Sequence, residues 1–172
     1  MTVTINTTSY AFKPGIVFNE KLSEDLDTAT LVLPHITSQS FKIMDQVTIA
    51  DTWTKYYLIS SINRKTTKHD GTKQYTYILG LVSPTIQLQR IVLPNRAITQ
   101  PISGTKTTIY TVLSHYVSMY APGMSISSAL QTLTNVDCPE FQWNRPTLFE
   151  VFNDLLSEVD AVVTMTDFTT IS

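Results

Sequence analysis

The sequence predicts an α+β fold: an N-terminal antiparallel β-barrel with a long hairpin over residues 1–96, a helical domain over 97–159, and the start of a further, incomplete β segment at 160–172. Three observations carry this. Apolar residues recur with period two through the first hundred positions, as a half-buried strand requires. Two long strand-like runs, "TKYYLISSINRKTT" and "KQYTYILGLVS", flank "KHDGT", whose Asp-Gly supplies the positive φ angles of a tight hairpin. Beyond Asn95 the period changes to about 3.6, the spacing of one helix face.

Taken in order, "MTVTINTTSYAF" sets Val3 and Ile5 between threonines. It has neither a basic start nor an apolar stretch, so it reads as a strand and not a signal peptide. Pro14-Gly15 marks a turn, and Asp27 to Pro34 is a β-branched run closed by proline. In the second hairpin arm Tyr75, Tyr77, Leu79 and Leu81 share one face, and Thr76, Ile78, Gly80 and Val82 the other. Arms longer than the usual strand of about 5–6 residues predict a hairpin that reaches past its barrel toward a neighbour. Tyr75, Tyr77 and Leu79 are therefore candidate subunit-interface residues.

"SPTIQLQRIVLPN" is a structural joint at Pro84, Thr85, Leu93, Pro94 and Asn95: Pro84 removes a ladder donor and begins a short helical turn, and Pro94 stops the following apolar run. A polar connector, Arg96 to Thr107, leads to a stripe of Ile109, Val112, Leu113, Tyr116, Val117 and Tyr120, which "APG" ends. A weaker helix or turn falls at Ser127 to Leu133. In "RPTLFEVFNDLLSEV", Thr147 and Glu150 stand in the capping-box relation, with Leu148, Val151, Phe152, Leu155 and Val159 as the buried face. "DAVVTMTDFTTIS" returns to β character, a strand in search of a partner.

Composition narrows the chemistry. With 42% hydrophobic and 15% charged residues and a net charge of −2, the surface is poor in charge, and specific nucleic-acid binding is not expected. Arg64, Lys65 and Lys68, the one small basic group, flank the hairpin turn. No apolar run approaches the roughly 20 residues of a membrane span, so no membrane anchor is expected. A single Cys138 excludes an internal disulfide and reads as a small buried hydrophobe. His35, His69 and His115 have no metal-ligand spacing, and neither a metal nor a cofactor is expected. Ser114 and His115, adjacent on a helix, diverge by about 100° and make no nucleophile–base pair. Five glycines leave no phosphate-cradling loop. Glu20, Glu24, Asp25 and Asp27 could form a glycosidase acid pair, but a solvated turn explains them as well. Trp53, Tyr56, Tyr57, Tyr75 and Tyr77 could form a sugar or base platform, against which stands cross-strand packing. No catalytic residue is assigned, and the chain is not expected to be an enzyme.

"YTYILGLVSPTIQLQRIVLPN" resembles the N-terminal module of phage tail-tip proteins, the tail-associated lysin or prophage endopeptidase tail family, itself similar to the baseplate hub of contractile tails. The resemblance rests on the Leu-x-x-Pro-Thr phrase at Leu81 to Thr85 and the Leu-Pro-Asn phrase at Leu93 to Asn95. "CPEFQWNRPTLFEVFNDLLSEVDAVVTM" resembles the family's Pro-x-Phe-x-Trp segment and the helix after it, and "FNEKLSEDLDTATLVLPHI" its first strands. The resemblance implies a structural virion protein: a homotrimeric hub of two barrels per protomer that adapts a sixfold tube or ring to threefold symmetry and closes or lines the channel. Its implied partners are a distal tail protein or tail tube protein, with the tape measure protein as a further candidate. Its implied place is the virion tail tip, assembled in the bacterial cytoplasm. The family pattern would also make this chain the first barrel and helical insertion alone, with any lytic domain elsewhere. A tail-associated cell-wall hydrolase and a carbohydrate-binding module are the alternatives.

Overall fold

The computed structural model describes residues 1–11, 16–21, 26–36, 39–69, 71–94, 97–98 and 107–172. The chain divides into two compact units, Met1–Pro84 and Thr85–Ser172, and the division falls inside the proline-fenced joint, ahead of the composition change at Asn95.

Among the described residues the first unit is a seven-stranded antiparallel sheet. Its strands are β1 (Thr2–Ile5), β2 (Thr8–Ala11), β3 (Val17–Lys21), β4 (Thr28–Ile36), β5 (Gln46–Ala50), β6 (Thr54–His69) and β7 (Thr72–Val82), in the spatial order β2-β1-β5-β6-β7-β4-β3. Among the described residues the edges β2 and β3 share no ladder, so the expected barrel is a curled sheet, a half-barrel. One face supplies the core. Val3, Ile5, Leu31, Leu33, Val47, Ile49, Ile59, Leu79 and Leu81 are all buried there, as alternation along each strand dictates. The curl brings in side chains from both edges: Phe18 on β3 lies 5.8 Å from Tyr57 on β6, and Tyr10 on β2 lies 6.2 Å from Phe41, which meets Tyr77 edge-on at 4.9 Å.

Two local features refine the sequence reading. β4 does not stop at Pro34 but runs on to Ile36 through a register shift between Leu33 and Ile36, which tolerates a residue without an N–H. At the hairpin end Gly71 has φ 72°, the conformation that Asp-Gly predicts.

The second unit is built on helices. Its elements are α1 (Ile86–Gln89), β8 (Ala97–Ile98), α2 (Ile109–Tyr120), β9 (Ser125–Ile126), α3 (Ser128–Leu133), β10 (Gln142–Trp143), α4 (Leu148–Ser157) and β11 (Thr170–Ile171). The helix stripes pack as their periodicity predicts: Ile109, Val112, Leu113, Tyr116 and Val117 of α2 and Leu148, Val151, Phe152 and Leu155 of α4 are buried in one core. α4 also buries Leu156, while Val159 only packs against the margin. The segment at 160–172 belongs to the second compact unit. β11 pairs in parallel with β9, Thr170 opposite Ser125 and Ile171 opposite Ile126, and Ile171 is fully buried in the helical core. Its backbone demand is met by the residues after α2, a pairing that sequence distance hides.

Candidate functional site

The residues singled out from sequence separate into two groups, those that hold each unit together and those that remain exposed. The joint belongs to the first. Pro84 and Thr85 are buried, and Thr85 stands at the start of α1, its carbonyl accepting from Leu88 N–H at 3.0 Å. Leu93 is buried, and its N–H donates to Pro146 O at 2.8 Å, while Leu148 N–H donates to Ile91 O at 2.8 Å. This two-bond clasp fixes the apolar run after α1 beside the N-terminus of α4. Leu93 and Pro94, with Val92, Tyr120 and Arg145, also line an open depression of about 810 Å³. Asn95 lies outside the described residues.

The helix cap forms in full. Thr147 Oγ1 accepts from Glu150 N–H at 3.2 Å, and the Glu150 carboxylate accepts from Thr147 N–H at 2.6 Å, satisfying two of the free donors at the start of α4. Trp143 Nε1–H donates to the Asp154 carboxylate at 2.6 Å, tying β10 to the same helix. Phe141 stacks on Trp143 at 5.3 Å with planes 7° apart. The Pro-x-Phe-x-Trp phrase is thus a brace for α4.

The candidate interface residues require correction. Tyr77 and Leu79 are 4% and 0% exposed and lie in the core of their own sheet, because their face of β7 is the concave one. Tyr77 O–H donates to Gln39 O at 2.9 Å, a further internal use of its polar end. Tyr75 is half-buried, with the Arg64 guanidinium 4.8 Å and the Lys73 ammonium 5.6 Å from its ring centre. The aromatic group forms no flat platform: Tyr57 and Tyr77 point into the core, Tyr56 sits on the opposite face from Tyr57, and Trp53 packs at 6.1 Å against Phe18.

The acidic group is likewise rearranged. Glu20 is paired with Ala29 on the concave face, and its carboxylate lies 2.5 Å from Lys55 Nζ while accepting a hydrogen bond from the Tyr57 hydroxyl. The contact joins edge strand β3 to β6, thirty-five residues along the chain. Burial pushes the Glu20 carboxyl up, but the hydrogen bonds from Lys55 and Tyr57 and the Lys55 charge outweigh it and hold the carboxyl below its ordinary value. Burial, and then the Glu20 carboxylate, push the Tyr57 phenol well above its ordinary value. A general acid needs the opposite shift. Asp27 precedes β4 and its carbonyl accepts from Ser83 N–H at 2.8 Å, while Glu24 and Asp25 lie outside the described residues.

Of the histidines, His115 is exposed on α2, and His35 and His69 are described in backbone only. Among the described residues no three of His, Cys, Asp or Glu gather where a metal could sit, and no helix is long and apolar enough to cross a membrane. Cys138 is half-buried against the helical core.

What remains presented is the far half of the long hairpin. β5 pairs with β6 only from Thr54 to Leu58, followed by Met44 N–H donating to Ile59 O at 2.8 Å and Ile59 N–H donating to Asp45 O at 3.0 Å. Beyond Ile59 the pairing of β6 among the described residues is with β7, out to His69 opposite Thr72. Exposed Arg64, Lys65, Lys68 and Lys73 decorate this arm.

No family model matches the chain, and no curated protein matches it in sequence. Its fold does have solved counterparts. It is similar to the tail protein from Neisseria meningitidis MC58, with a TM-score of 0.63 at 10% identity over 99% of this chain and 48% of that one. The 43 kDa tail protein of prophage MuSo2 from Shewanella oneidensis gives 0.63 at 9% identity, over 99% and 52%. The E. coli c3393 protein, a type VI secretion system component described as structurally similar to the T4 tail proteins gp27 and gp5, gives 0.52 at 12% identity, over 91% and 42%. The chain therefore spans about half the length of these three structures, and the fold it carries is one found in phage tail and baseplate-like proteins.

Proposed function

We propose that this chain is a structural module of a phage-type tail tip, part of a trimeric hub that adapts a sixfold tube or ring to threefold symmetry and closes or lines its channel. The observation that carries the reading is the fold match over 99% of the chain to two tail proteins. A low-charge surface and the ordered tail-tip phrases, the joint at Pro84 to Pro94 and the brace at Phe141 to Trp143, support it. In this reading the partners are a distal tail or tail tube protein, with the tape measure protein in the channel.

The lytic alternative finds its nearest carboxylate, Glu20, ion-paired and held in the charged form. Native mass spectrometry of the purified chain, alone and with a distal tail ring, tests the proposal. Threefold mass or stoichiometric capture on the ring is expected; a monomer that ignores both ring and tube at high concentration would overturn it. Clearing of peptidoglycan in a zymogram, abolished by Glu20→Gln, would instead favour the hydrolase.

A further inference from the structure

Three properties coincide along β6 between Ser60 and His69. The first is an open backbone. On the side away from β7, no described residue pairs with this stretch, which leaves alternate N–H and C=O groups free along about 33 Å of edge. The second is charge. Arg64, Lys65, Lys68 and Lys73, four of the chain's 12 Lys and Arg residues, project from the arm, and none makes an ion pair within the described residues. The third is orientation. Arg64 and Lys68 share the face of Tyr77 and Tyr75, while Lys65 lies on the opposite face, so an added strand would meet cations on both of its sides. Arg64 and Lys73 are already placed against the Tyr75 ring, which reduces the side-chain ordering left to be done on binding.

We infer that this edge is a docking site for an extended acidic segment of a neighbouring protein, which adds to the sheet as a further strand beside β6. Ladder hydrogen bonds would hold the segment, and Glu or Asp side chains at alternate positions would meet the cations. The same cations disfavour the simplest competitor. Two copies paired edge to edge would set Arg64, Lys65 and Lys68 against one another. A nucleic acid would satisfy the charge but not the backbone, which is why a peptide strand is the occupant that uses all three properties. The inference rests on the tail-tip reading only in taking the segment to belong to another tail subunit; the edge itself is tested on the isolated chain.

The test is fluorescence anisotropy with the full chain and a labelled peptide of alternating Glu and Val. Saturable binding is expected, weakened roughly tenfold or more in the Lys65→Glu, Lys68→Glu double variant. Both lysines are exposed, so circular dichroism of that variant should match the parent. The peptide methylated on alternate backbone nitrogens keeps its charge but cannot form a ladder, and its binding should be lost. Equal binding of the methylated peptide would overturn the inference, as would equal binding of a single-stranded oligonucleotide. So would self-association of the chain that the lysine substitutions alter. A monomeric chain that ignores ring and tube but binds the peptide sinks the tail-tip reading and keeps this one, and a trimer that ignores the peptide does the reverse.

Discussion

Replacing Lys55 by Met keeps the length of the side chain and removes its charge, which leaves Glu20 as a half-buried carboxylate with the Tyr57 hydroxyl as its remaining side-chain donor. Exposed ion pairs contribute about 0.2–1 kcal/mol, and breaking a fully buried one costs about 3–5 kcal/mol. Here the side chains retain 36% exposure for Lys55 and 19% for Glu20, so solvent screening places the loss nearer the lower range, at about 1–2 kcal/mol. A unit of this size loses roughly 4–8 °C in Tm per kcal/mol. Differential scanning calorimetry should therefore show the transition of the sheet unit lowered by that order, with the helical unit unchanged. Because the folded carboxyl of Glu20 is depressed below its ordinary value of 4.5, its contribution is present above that pH and is lost as pH falls through the depressed value. The stability gap between the parent and Glu20→Gln should accordingly be full at neutral pH and close on acidification below the ordinary value. If Lys55→Met is as stable as the parent at neutral pH, or the Glu20→Gln gap does not change with acid, the clasp between β3 and β6 does not hold the curl and the reasoning fails.

Thr147→Ala removes the hydroxyl half of the capping box and should cost the helical unit about 1 kcal/mol, read as a lower urea midpoint at unchanged slope. Phe152→Ala opens a hole at a position with no solvent exposure and should cost about 3–5 kcal/mol, with calorimetry showing the helical transition shifted or lost while the sheet transition stays. Gly80→Ala would set a Cβ against the Ser61 hydroxyl across the register shift between β6 and β7. The hydroxyl can rotate away, so the loss in the sheet unit should be small, within about 1 kcal/mol, and its coupling to a Ser61→Gly second change is what a double-mutant cycle in urea measures.

Features of short range were legible in the residues alone. The Asp-Gly turn, the Thr147–Glu150 cap and the stripes of α2 and α4 each depend on neighbours within about one or two turns of chain, so residue type and spacing suffice to specify them. The even alternation of Tyr75, Tyr77 and Leu79 announced a strand with two unlike faces but not which face would be inside. That depends on where the sheet curls, and Tyr77 and Leu79 proved to be core where a partner surface was expected. Pro34 read as a strand end because the bulge that admits it is made with β7, more than forty residues away.

Alternation and punctuation in the sequence determined the two kinds of secondary structure, their order, the turns and the helix starts, because those follow from local sterics and the period of apolar groups. Only the tertiary structure decided that β4 lies between β7 and β3, that Glu20 finds Lys55, that β11 returns to β9, and that the far half of β6 has no second neighbour among the described residues. These are pairings between distant segments, chosen by which arrangement buries both faces of a strand and satisfies its backbone. No local pattern encodes them, because many distant strands present the same alternation.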